Sequence, residues 1–69
     1  MEHGWYLFGD VDGFENDEWL KLKATTEAEA LPEARRLYQG QQERNPLWSH
    51  SNPRLKHIAP DRTVTIPIR

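Results

Sequence analysis

Four short stretches of this chain carry the hydrophobic pattern of strands and one longer stretch carries that of a helix. Gly4-Trp-Tyr-Leu-Phe-Gly9 is an aromatic run bounded by glycines, which predicts a strand with apolar groups on both faces. In Trp19-Leu-Lys-Leu-Lys-Ala24, strict alternation sets Leu20, Leu22 and Ala24 on one face and Trp19, Lys21 and Lys23 on the other. The stretch between these strands makes an antiparallel hairpin the economical pairing. A second pair of strands, Arg54 to Ala59 and Thr63 to Ile68, surrounds Pro60-Asp61. Proline cannot take the positive φ of a two-residue hairpin turn, so the connection is expected to be a four-residue type I loop, Ala59 to Arg62. That register pairs Ile58 with Thr63, His57 with Val64, Lys56 with Thr65 and Leu55 with Ile66. One face then holds Leu55, His57, Val64, Ile66 and Ile68, and the other Arg54, Lys56, Ile58, Thr63 and Thr65. Pro67 marks the last strand as an edge, because proline has no N–H to give to a ladder.

Between the two pairs lies the helical stretch. Thr26-Glu-Ala-Glu29 is a capping box, in which the threonine hydroxyl accepts from the third backbone amide and the glutamate reaches back. Its early carboxylates also suit the positive end of the helix dipole. Ala30, Ala34, Leu37 and Gln41, flanked by Leu31 and Tyr38, form one stripe at helical spacing, with Glu33, Arg36 and Gln39 toward water. Gly40 reads as the stop. Pro32 either kinks the first turn or opens the regular helix as its first residue. Gln41 to Pro53 contains two Asn-Pro pairs and no period, which predicts a loop in which Leu47 and Trp48 stand alone.

The order is β-β-α-β-β, which predicts an α+β fold with one helix packed on a four-stranded antiparallel sheet and residues 1–69 forming a single small domain. Either Trp5/Leu7 or Tyr6/Phe8 joins Leu20 and Leu22 beneath the helix. The remaining pair is left on the far face beside Trp19, Lys21 and Lys23. A face with three large apolar groups calls for a cover. The chain's own candidates are Leu47 and Trp48, and a partner is the alternative.

Composition sharpens this picture. At 69 residues the chain hides only about 60% of its unfolded surface, so its core has little to spare. It has no cysteine, so neither a disulfide framework nor a zinc-thiolate site can supply the missing stability. No apolar run approaches a membrane span, and Met-Glu-His-Gly-Trp lacks the basic start of a signal peptide; a soluble, unprocessed, cytoplasmic protein with no membrane role is the expectation. The net charge of −2 conceals an asymmetry. Residues 1–34 hold two lysines against nine carboxylates, a net of −7, and residues 35–69 hold seven cations against two carboxylates, a net of +5. The split fits either two oppositely charged faces or halves that attract each other within one fold.

The acidic stretch Asp10-Val-Asp-Gly-Phe-Glu-Asn-Asp-Glu18 is the first candidate site. As a calcium loop started at Asp10 it fails at three places: Phe14 stands where an oxygen ligand belongs, Gly13 comes two positions early, and Lys21 replaces the bidentate glutamate. A tight turn at Asp12-Gly13 would set Asp10 against Glu15, a like-charge pair, so a longer open loop is expected. Asp10, Asp12, Glu15, Asp17 and Glu18 are then an acidic surface for a partner. The second candidate is the far sheet face, with Trp19, Lys21, Lys23, Arg54 and Lys56. Rings that stack on bases and cations that meet phosphates would make it a nucleic-acid platform. The acidic balance and the acidic loop beside it oppose that reading. Trp and Arg also dominate protein hot spots, which favours a protein contact, either a larger protein or nucleoprotein complex or a homodimer. The open edge of the last strand offers a second route to another chain. Neither metal nor catalysis is indicated. His3, His50 and His57 lack metal-ligand spacing, His57 falls on an apolar strand face, and Ser49-His50-Ser51 are chain neighbours that rarely face one another. No cofactor motif is present, and the expectation is a protein that is not an enzyme.

Two resemblances follow from these residues. The strand that runs through Ala24-Thr25-Thr26-Glu27-Ala28-Glu29-Ala30 into Ala34-Arg35-Arg36-Leu37 is similar to the HicB antitoxin family, but that family's proline- and glycine-containing third-strand motif is absent, and nothing of its function is carried over. The whole β-β-α-β-β plan in so short a chain resembles small phage or mobile-element proteins of the anti-CRISPR inhibitor type. That resemblance implies a stoichiometric inhibitor that occupies a surface on a larger complex, and it transfers no individual residue.

Overall fold

A computed structural model describes residues 2–10 and 17–68. Its elements are β1 (Gly4–Gly9), β2 (Glu18–Lys21), α1 (Glu27–Arg44), a 3₁₀ helix (Pro46–His50), β3 (Arg54–Ile58) and β4 (Thr63–Pro67). The four strands form one antiparallel sheet in the order β2-β1-β3-β4, so the two hairpins meet through β1 and β3. The expected α+β architecture is the one observed. Among the described residues no helix is long and apolar enough to cross a membrane.

The second hairpin has the expected register, from Ile58↔Thr63 through Leu55↔Ile66, and the Ala59 N–H donates to the Arg62 carbonyl across the loop at 3.0 Å. The first hairpin pairs Tyr6 with Lys21, Leu7 with Leu20 and Phe8 with Trp19, and the ladder ends at Gly9↔Glu18. Residues 10–17 are therefore the connection, and 11–16 lie outside the described residues. Across the centre of the sheet, Trp5 faces His57 and Leu7 faces Leu55. This choice puts Trp5 and Leu7 beneath α1 and leaves Tyr6 and Phe8 on the far side.

The core lies between sheet and helix. Leu7, Leu55, Ala30 and Ala34 are wholly buried there, with Trp5, Leu22, Trp48 and Ile68 around them. Burying a leucine-sized group in this way stabilises the fold by roughly 1.5–3 kcal/mol. The two small alanines let α1 approach closely, while Leu31, Leu37 and Tyr38 flank the contact. Gly9 has a similar role in the sheet, since a Cβ there would come within 2.5 Å of the Trp48 ring. Gly4 is needed for another reason, its φ of 140°.

Several expectations are corrected. Alternation continues to Ala24, but β2 ends at Lys21, because the Lys23 and Ala24 amides donate to the Glu33 carboxylate at 2.8 and 2.9 Å and turn the chain toward α1. Glu33, expected to face water, is thus a clasp between sheet and helix. The helix start at the Thr26 capping box is observed, and of the two placements open to Pro32 it lies inside α1, five residues after Glu27, rather than opening it. The amide hydrogen bond it removes would have gone to the carbonyl of Ala28, an exposed residue that water can serve. Gly40 does not stop the helix, and the stretch from Gln41 to Pro53 is not simply a loop. α1 runs on to Arg44, where the Asn45 amide donates to the Gln41 carbonyl, and the Asn45 side chain accepts from Leu47 to start the 3₁₀ helix. That short helix packs back on α1, with the Trp48 and Tyr38 ring centroids 6.4 Å apart. Such packing outweighs a glycine's intrinsic cost of about 1 kcal/mol.

Candidate functional site

Alternation along β1, β2 and β3 sends Tyr6, Phe8, Trp19, Lys21, Arg54 and Lys56 to the side of the sheet that α1 does not touch. Trp48 is not their cover. It is buried in the core on the opposite side, and Leu47 is 37% exposed. The cations close this face instead. Arg54 lies 4.8 Å and Lys56 4.6 Å from the Phe8 ring centroid, Lys56 also reaches within 5.4 Å of Trp19, and Lys21 lies 5.1 Å from Tyr6. Trp19 meets both rings edge-on, at 4.6 Å from Phe8 and 5.9 Å from Tyr6. Beneath this cover Tyr6 is only 5% and Phe8 only 6% exposed, as deeply buried as the core tryptophan Trp5. Methylene stems hide the rings while charged heads stay at the surface, and each cation–ring contact adds about 0.5–2 kcal/mol.

Two of the three cations have a partner of their own. Arg54 pairs with Asp10 at 2.7 Å, the contact that joins the acidic first half of the chain to the basic second half. Its partly exposed setting limits its worth to about 1 kcal/mol or less. Lys21 donates to the His3 carbonyl at 2.9 Å and lies 3.7 Å from the Glu2 carboxylate. The Tyr6 hydroxyl donates to the Glu2 carbonyl at 2.6 Å, so the segment before β1 is strapped to the edge of the face. Among the described residues the Lys56 ammonium, at the middle, has ring contacts and no carboxylate partner.

Of the residues expected on this face, Trp19, Lys21, Arg54 and Lys56 come together and Lys23 does not. Lys23 follows the end of β2, has no ring contact of the kind the other cations make among the described residues, and borders an open hollow with Lys21 and with Glu33, Arg36 and Leu37 of α1. Of the acidic residues, Asp10, Asp17 and Glu18 are described, with Asp17 and Glu18 exposed at the start of β2 beside Trp19; Asp12 and Glu15 lie outside the described residues. Tyr6 and Phe8 belong to the site and escape a reading of the first strand alone. Their face is decided only when Leu7 pairs with Leu20 and Leu55.

The histidines make a different arrangement. His57 stacks on Trp5 with ring centroids 4.3 Å apart and planes at 18°. With His3, Lys23 and Thr25 it borders an open groove of about 500 Å³ at the end of the sheet, whose described lining contains no carboxylate to orient either imidazole. Among the described residues, no group of three potential metal-ligating side chains gathers. Among the described residues one ionisation shift is clear, at the start of α1 next to Thr25. Hydroxyl hydrogen bonds from Thr25 and Thr26, aided by their backbone amides, hold the exposed Glu29 carboxyl below its usual range.

Compared with known proteins, the chain matches no family model, and neither a curated protein nor a solved structure matches it significantly.

Proposed function

We propose that this protein is a non-enzymatic binding module that docks on a larger protein or nucleoprotein complex through the sheet face opposite α1. The observation that supports this reading is the mixed charge of that face. Lys21, Arg54 and Lys56 stand over an aromatic floor, while Asp10, Asp17 and Glu18 border the same end of the sheet. A mosaic of both signs around a half-exposed tryptophan suits a protein surface, where each charge meets its opposite. The polyanionic backbone of a nucleic acid favours one sign. Base stacking also needs open rings, and Tyr6 and Phe8 are closed over by lysine and arginine. The resemblance to small phage or mobile-element inhibitors agrees with a protein that acts by occupying a surface. Inhibition and a cytoplasmic setting are part of the proposal.

The rival is a nucleic-acid module that uses the same cations. Titration with mixed-sequence oligonucleotides separates the two, and no binding at low salt is the expected outcome. Binding that weakens steeply with salt and disappears in Lys21→Glu/Lys56→Glu, with the fold intact by circular dichroism, would establish the rival.

A further inference from the structure

Resting on that reading, the geometry points to the class of group that the partner presents: we infer that a carboxylate of an acidic protein surface docks on Lys56 at the centre of the sheet face. The inference comes from an imbalance on one ring. Arg54 and Lys56 both lie within 5 Å of the Phe8 centroid, so two cations share one aromatic floor. Asp10 compensates Arg54 at 2.7 Å. Glu2 and the His3 carbonyl serve Lys21 at the edge. Lys56 is half-buried and, among the described residues, has no carboxylate or hydrogen-bond acceptor, only the rings of Phe8 and Trp19.

Its position explains why it is held there. Lys56 starts from β3 between Tyr6 and Thr65, and its ammonium reaches across Phe8 of β1 toward Trp19 of β2. The two rings fix the long side chain before any partner arrives, so binding loses less rotamer freedom than it would with a free lysine. A partner carboxylate at this point would complete on Lys56 the pairing that Asp10 gives Arg54, in surroundings where the rings exclude water and strengthen the attraction. The occupant is a carboxylate rather than a phosphate chain. A single acidic side chain can reach Lys56 between Asp10 and Glu2, whereas a run of phosphates would meet Asp10 beside Arg54 and Glu2 beside Lys21.

The test uses the full chain labelled with nitrogen-15 and, as the probe, a short capped peptide with a single glutamate among glycines and serines, followed through the Trp19 indole resonance. The same peptide with lysine in place of the glutamate and oligothymidine serve as comparators. A saturable Trp19 shift with the glutamate peptide, weakened at least tenfold in Lys56→Gln and kept in Lys56→Arg and in Arg62→Gln on the β3–β4 loop, is the expected result. Equal affinity of wild type and Lys56→Gln overturns the role of Lys56 and leaves the protein-binding face standing. Shifts confined to Arg35 and Arg36 on the helix, or no shift at all, also overturn it. Oligothymidine that binds at Trp19 in place of the peptide overturns both this inference and the protein-binding reading.

Discussion

The two faces of the sheet bury aromatic rings to the same depth by different means. On the helix side, Trp5 and Trp48 lie among Leu7, Leu55, Ala30 and Ala34, covered by elements whose backbones are fixed by their own hydrogen bonds. On the far side, no helix or strand among the described elements lies over Tyr6 and Phe8, which are covered by the stems of Lys21, Arg54 and Lys56 and by the edge of Trp19. The first arrangement is a core. The second is a cover of side chains, in which a lysine head can turn away from a ring without disturbing the backbone. Under the proposed function, a small domain with little core thus keeps its binding face compact until a partner occupies it.

Truncations on the two sides measure the contrast. Leu55→Ala should have the largest effect, about 2–5 kcal/mol in denaturant unfolding, because the rigid walls around it cannot collapse into the space. In a domain of this size that is enough to leave much of the chain unfolded. Phe8→Ala should cost less, roughly 2 kcal/mol, since lysine and arginine stems can settle into the gap and water can follow them. Equal losses for the two would mean that the far face is a second core, and the idea of a movable cover would fail.

A smaller effect is expected outside both faces, at the start of α1. The Thr26 hydroxyl accepts from the Glu29 amide at 3.3 Å, and Thr26→Ala should cost about 1 kcal/mol. The Glu29 carboxyl titrates below its usual range in the folded state, so its contribution is present above its unfolded value and is lost as pH falls through the folded one. A lower amide protection factor at Glu29 on acidification, taken relative to the intrinsic exchange rate at each pH and absent in Glu29→Gln, is the observation to make. Unchanged exchange would show that the two threonine hydroxyls act without the charge.

Asp10, Asp17 and Glu18 allow a test of the other sign of charge at the end of the sheet where β1 and β2 are joined. Replacing all three with Asn or Gln should leave folding nearly intact, with a loss of about 1 kcal/mol or less from the Asp10–Arg54 pair. A larger drop in thermal stability would make the acidic border a structural element in its own right.

The strands, the four-residue loop at Pro60-Asp61 and the threonine cap were legible in the residues because each is written within a few neighbours: a period of two, a proline in a turn, a hydroxyl before a helix. The end of β2 was not, since it depends on Glu33 reaching back to two amides ten and nine residues earlier. Nor was the end of α1, where Gly40 is a valid local stop until Trp48 packs on Tyr38. Of the candidate face, Trp19, Lys21, Arg54 and Lys56 followed from alternation alone. Lys23 was assigned to it by extending the same alternation past the residue where the strand stops.

By itself the chain's pattern determined which residues alternate, which side of each strand is apolar, and where the charges lie along it, since these depend on near neighbours and the geometry of one strand or helix. The tertiary structure alone decided that β1 lies beside β3, that Trp5 and not Phe8 goes under the helix, that Trp48 joins the core, and that three cations close over the far rings. Those outcomes depend on contacts between residues far apart in the chain. A cation's local pattern places it on a face, but only the neighbours brought by folding determine whether its charge finds a carboxylate, as Arg54 does, or, among the described residues, lies over two rings, as Lys56 does.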